Sequence, residues 1–223
     1  MSLSYLQSSF LTLEQLAGLS GVSADRLRAM IAHGCLPGPA YKVEGKCRIS
    51  SFFGDHDEVM DIWYFPRSYI GTALALQQSG KELEVLAEEE KALFFRIYTS
   101  VLEEWNAQAF GLGHLFQDDA RVGGEAAISF LEGEWQHYLS GTYGLCTRTA
   151  SAKEIAVKEV MIARIKFLTS DMSKDRAAVD ITELVQAVDF LDEVSAPFAP
   201  HEVGRSSREK YINQPRAKYL GTL

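Results

Sequence analysis

Four side chains of the zinc-binding type, His33, Cys35, Cys47 and His56, fall close together near the N-terminus. Thiolate and imidazole are the usual ligands of a structural zinc. Only His33 and Cys35 form a tight pair, however, and no Cys-x-x-Cys occurs, so Cys35 beside Leu36 reads equally as core filling. A second set is Cys146, behind a glycine-rich turn, with His137 and Glu134 upstream. An imidazole that takes the thiol proton, oriented by a carboxylate, would activate that sulfur. The competing expectation is a buried, inert thiol. Asp55, Asp57, Glu58 and Asp61 offer oxygens to a hard cation but lack the glycine and terminal glutamate of a calcium loop. They read as a solvated acidic loop, as do Asp118 and Asp119. No glycine-rich phosphate loop follows a strand, and no hydrolase elbow is present. The expectation is no catalytic residue, no metal and no cofactor.

The remaining chemistry is cationic. Arg26, Arg28, Lys42, Lys46 and Arg48 crowd into a stretch that also carries the clearest local structure signals. Thr12 with Gln15 makes a capping box, and Leu11 with Leu16 a hydrophobic staple. Leu13, Leu16 and Ala17 share a helical face, and Gly18–Ser20–Gly21 ends that helix. Ser23 caps a second helix with Leu27, Met30 and Ile31 on one side. Gly34, Pro37 and Pro39 stop it. Two short helices around a glycine turn predict a helix-turn-helix. Val43–Ile49, broken at Glu44–Gly45, predicts a small hairpin wing behind it. Arg26 and Arg28 then sit in the first turns of the second helix, where a recognition helix meets the major groove. Lys42, Lys46 and Arg48 bracket the hairpin and would grip flanking phosphates. The alternative is that the arginines pair with Asp25 on a solvated face.

Charge along the chain bears on that choice. Residues 1–50 hold five Lys/Arg against three Asp/Glu, residues 51–120 four against thirteen, and residues 121–223 thirteen against fourteen, for a net charge of −8. A phosphate-binding surface needs clustered cations, and only the N-terminal stretch qualifies. A hydrophobic fraction of 47% and charged fraction of 23% are those of an ordinary globular chain. No run reaches the length of a membrane span, and Met1–Phe10 has no basic stretch leading an apolar core. Three cysteines without tight spacing make no disulfide framework. The cytoplasm is the expected location.

Beyond the hairpin, Ser51–Phe65 reads as irregular or short-stranded and ends at Pro66. Tyr69–Gln78 predicts a helix closed by Gly80. Lys81–Phe110 predicts a long helix on which Leu93, Ile97, Val101 and Trp105 recur every fourth residue. Such a helix would either join a homodimer or be buried in its own domain. Ala127, Ile128, Leu131, Trp135 and Tyr138 mark another helix, and GTYGLCTRT is a turn-rich connector. Ser151 with Glu154, and Asp180 with Glu183, open two further helices. Ser206 with Glu209 begins a last one that Pro215 interrupts.

The N-terminal stretch resembles the DNA reader of MerR-type regulators. Thr12, Leu16, Ala17, Gly21, Val22, Ser23, Leu27, Arg28, Gly34, Leu36, Pro37 and Pro39 stand at matching places. Ala29 and Met30 replace the aromatics frequent there. The wing carries Lys42, Lys46 and Arg48 where the family is arginine-rich. The resemblance implies a winged fold and a phosphate or base contact for Arg28. Four later segments, YLSGTYGLC, KEVMIARI, SAPFAPHE and SSREKYI, resemble a bacterial family of unknown function whose members are often labelled natural-product biosynthesis proteins. Those members also start with a reader-like segment and a Pro-x-x-Tyr turn, here Pro37–Tyr41 in looser form.

The expected fold is mainly α, a winged helix-turn-helix over 1–65 followed by an all-helical domain over 66–223. The expected function is a DNA-binding regulator, with double-stranded DNA and a second copy of the chain as partners and no membrane. The alternative is an accessory protein of a natural-product pathway that does not bind DNA and uses the same module for interaction or substrate binding.

Overall fold

The computed structural model describes residues 2–170 and 180–221. Helix α1 (Ser2–Ser9) leads into a short strand β1 (Phe10–Thr12), then helices α2 (Leu13–Ser20) and α3 (Ala24–Ala32). The local signals act as the sequence suggests. Gln15 N–H donates to Thr12 Oγ1 and Thr12 N–H to Gln15 Oε1, closing the capping box. Gly21 takes a left-handed conformation (φ 70°) that would strain a side-chain-bearing residue, and its N–H donates to the Ala17 carbonyl. Ser23 accepts from the Arg26 N–H to start α3.

After α3 the chain departs from the expected architecture. A winged helix-turn-helix ahead of an all-helical domain is not what the chain builds. Residues 41–66 form two long antiparallel strands, β2 (Tyr41–Ser51) and β3 (Gly54–Pro66). With β1 they make a three-stranded sheet in the order β1-β3-β2. Ser51–Phe65 was expected to be irregular or short-stranded, and the turn was expected at Glu44–Gly45. Instead the chain reverses at Phe52–Phe53, with Ser51 paired to Gly54. The physical reason is that the outer half of this ribbon faces solvent on both sides. Without a buried face, no alternation of apolar and polar residues is required, and the period-2 signal vanishes.

Helix α4 (Tyr69–Gln78) packs against α2. Helix α5 (Leu83–Glu104) stops at Trp105, because Asn106 turns left-handed (φ 49°) and a 3-10 turn follows at Ala107–Phe110. Helices α6 (Gly124–Leu139), α7 (Thr142–Cys146), α8 (Ala152–Ser170) and α9 (Ile181–Val194) complete the regular body. Two π-helical turns, Glu209–Asn213 and Arg216–Leu220, lie near the C-terminus.

One core joins Leu16, Leu27, Met30, Leu36 and Phe65 to Leu76 and Leu86. A larger one gathers Phe94, Tyr98 and Leu102 of α5 with Trp135, Met161, Ile165 and Leu184. Helix α5 therefore contributes its apolar residues to both. The two cores meet at a close joint. The Gly38 N–H donates to the Leu139 carbonyl at 2.8 Å. Gly141 (φ 82°) lies against the same loop, where a Cβ would fall 2.6 Å from the Gly38 oxygen. A Cβ on Gly144 would sit 2.8 Å from Pro66 Cγ. The glycine-rich GTYG segment is thus a packing joint.

Candidate interaction surface: the hairpin and the third helix

The cations singled out in the sequence divide between two elements. Arg26 and Arg28 project from the first turns of α3. Arg28 is exposed, and its Nη1 donates to Asp25 Oδ1 at 3.1 Å. Lys42, Lys46 and Arg48 alternate along β2 and so share one face of the ribbon. Register decides what each one meets. Arg48 lies opposite Asp57 and binds it with two hydrogen bonds, Nε at 2.8 Å and Nη2 at 3.1 Å. That bond raises the Arg48 guanidinium above its ordinary value and holds the Asp57 carboxyl below its own. Lys42 sits over the Trp63 ring, 4.9 Å from its centre. Lys46 is opposite Val59, and Glu44 opposite Asp61. The carboxylates Asp55, Asp57, Glu58 and Asp61, expected as an acidic loop, all belong to β3 beside these cations. No hydrogen bond or ion pair among the described residues links the α3 arginines to the hairpin.

The ribbon ends in two aromatic side chains. Phe52 is 97% exposed and Phe53 95%, with their rings edge-on to each other at 5.4 Å. Val59 is 76% exposed on the flank. Neither phenylalanine was singled out from the sequence. The available signal was the pair itself, Phe-Phe-Gly between two strand-forming runs, where a turn normally places polar residues.

The metal-type residues do not converge. Among the described residues no group of three or more His, Cys, Asp or Glu is placed to hold a metal ion. His33 binds the Ala29 carbonyl through Nδ1 and lies 3.5 Å from Glu84. Cys35 is buried and donates to the Leu83 carbonyl. Burial pushes its thiol up. Cys47 and His56 lie out on the ribbon, opposite Glu58 and Ile49. Cys146 is buried, while His137 is exposed at the end of α6, and no hydrogen bond joins them. Glu134 faces elsewhere. Tyr98 and Tyr143 both donate to its Oε2, at 2.9 and 2.5 Å. This three-residue lock ties α5 to α6 and α7, and burial raises both tyrosine hydroxyls well above their usual range. Lys158, also buried, donates to the Cys146 carbonyl at 3.2 Å. Glu134 and the Cys146 carbonyl therefore serve as scaffold contacts, and the His137 ring stands apart from both.

Among the described residues no helix is long and apolar enough to cross a membrane. No curated protein and no solved structure matches the chain. A family model does, over residues 90–220, well over half of its length, and those residues contain the Glu134 lock and the second core. The hairpin and helices α1–α4 precede the matched segment. On that match, the chain belongs to the family of unknown function DUF6058.

Proposed function

We propose that the chain is a protein-interaction module, an accessory protein that engages a partner polypeptide through its projecting hairpin. The observation that carries this reading is the tip, where Phe52 and Phe53 are almost wholly exposed. A neighbouring pair of exposed aromatic rings on a narrow ribbon favours burial in a partner's apolar pocket, the usual anchor of a protein interface. Charge supports the same reading. Arg48 is paired with Asp57, and the adjacent strand adds Asp55, Glu58 and Asp61, so the ribbon offers little attraction to a polyanion. The four segments that resemble natural-product biosynthesis proteins suggest that the partner belongs to such a pathway. A homodimer through α5 is less favoured, since that helix directs most of its large apolar residues into the chain's own cores.

A DNA-binding regulator is the second reading. It is favoured by Arg26 and Arg28, which extend from the capped start of α3. A photocrosslinking residue at position 53, expressed in the native host, tests the first reading. A discrete protein adduct absent from a position 28 control is the expected result. Polarisation with double-stranded DNA at low salt tests the second. Salt-sensitive binding lost on Arg28→Ala, together with no adduct at position 53, would overturn the proposal.

A further inference from the structure

After Ser206 the C-terminal segment divides its cations between two neighbours. Arg208 and Arg216 turn toward α9, where Arg208 pairs with Asp192. Arg216 reaches Asp192 at 2.6 Å and Asp189 at 2.8 Å. The lysines of the same segment, Lys210 and Lys218, line a cleft against α8 instead. Lys166 joins them there, with Thr169, Tyr211 and Gln214 completing the polar wall. The cleft measures about 390 Å³, within the range of small-molecule sites.

Three observations meet in this cleft. First, among the described residues none of its lysines forms an ion pair and no carboxylate lines it. Three described acids nearby are engaged elsewhere. Asp189 and Asp192 hold the arginines, and Glu209 accepts from Asn213 at 2.7 Å. Glu159, further back on α8, feels Lys166 and Lys158 electrostatically without pairing. Second, the ammonium groups of Lys166 and Lys210 lie 5.6 and 5.2 Å from the centre of one ring, that of Tyr211. Lys218 lies 4.7 Å from the centre of the Tyr219 ring in the same cleft, so three exposed lysines stand on two rings of one wall, in a chain of net charge −8. Third, the outer wall is formed by the two π-helical turns, joined through buried Pro215. Proline has no N–H to continue an α-helical ladder. Such wide turns are rare and recur at functional sites.

We infer that this cleft binds a small phosphate monoester. The phosphate is held by the lysine ammonium groups, and an attached planar group lies along the apolar wall of Ile165 and Pro215. Lysine suits this role because a compact point charge meets a phosphate from any direction. The inference is independent of the hairpin reading, because its residues lie at the other end of the chain.

The test is calorimetry and phosphorus NMR on the whole chain with AMP, inorganic phosphate and adenosine as probes. Saturable AMP binding at sub-millimolar concentration is expected, weaker binding of phosphate, and none of adenosine. Lys210→Met with Lys218→Met keeps the aliphatic stems and should weaken AMP about tenfold or more, with thermal unfolding unchanged. Adding Lys166→Met should remove binding. No saturation by AMP up to about 5 mM, equal binding of adenosine, or binding unaffected by the lysine substitutions would each overturn the inference. So would binding of single-stranded oligonucleotide in the absence of any response to AMP.

Discussion

The Tyr41 hydroxyl on β2 donates to Glu202 Oε2 at 2.6 Å across 161 residues of sequence, tying the N-terminal sheet to the C-terminal segment. Burial and then the bond to Glu202 push this hydroxyl far above its ordinary value. Tyr41→Phe keeps the edge-on ring contact with Phe10 at 5.1 Å and removes only the bond. Urea unfolding should show a loss of about 1 kcal/mol. A raised value in the folded state means that the contribution is complete below the ordinary tyrosine value, about pH 10, and is lost as pH rises further. Wild type and variant should therefore converge in strong alkali.

The joint between the two cores is expected to be intolerant of a single methyl group. Gly141→Ala would force a left-handed backbone and push Cβ against the backbone of Gly38 and Pro39. Neither neighbour is a flexible side chain that can move aside. A loss of roughly 2–4 kcal/mol is expected. Gly133→Ala, where a Cβ meets nothing within 4 Å, serves as the control and should cost little or gain slightly in its helix.

Glu159 is held above the ordinary glutamate value, first by burial and then by the charge of Glu134. The fold therefore favours its protonated form. Its contribution is complete below about pH 4 and is lost as pH rises through the raised value. Glu159→Gln mimics the neutral carboxyl and should stabilise the chain at pH 7 by on the order of 1 kcal/mol. The gain should shrink toward zero in acid, as read from melting temperature against pH.

Asp192 shifts the other way. Burial opposes its charge, but hydrogen bonds from Arg216 and Arg208 win and keep the carboxyl below its ordinary value. A lowered value contributes stability that is present above about pH 4 and lost as pH falls through it. Asp192→Asn should weaken the attachment of the C-terminal segment at neutral pH. Amide exchange over residues 206–216 should quicken there, and the difference from wild type should fade in acid.

The hairpin tip should be free of any role in stability. Phe52→Ser with Phe53→Ser is expected to shift unfolding by less than about 0.5 kcal/mol, because neither ring is buried. The same variant should abolish the crosslinked adduct formed from a probe at position 59.

Much of the helical structure was legible in the residues themselves. Thr12, Ser23 and Asp180 cap the helices they were expected to cap, and α4 spans the expected Tyr69–Gln78. Capping and helical period depend on residues three or four apart, so a short stretch determines them. Strand β3 was not legible, because its outer half has no buried face to impose alternation. Nor could the sequence say that Arg48 meets Asp57, since that depends on the register of two strands. The partners of Glu134 come from α5, 36 residues before it, and from α7, 9 residues after it. Lys166 and Lys210 meet around Tyr211 only once the C-terminal segment has folded back on α8. Local sequence determined the elements, while long-range packing decided which charges are paired and which lie over aromatic rings.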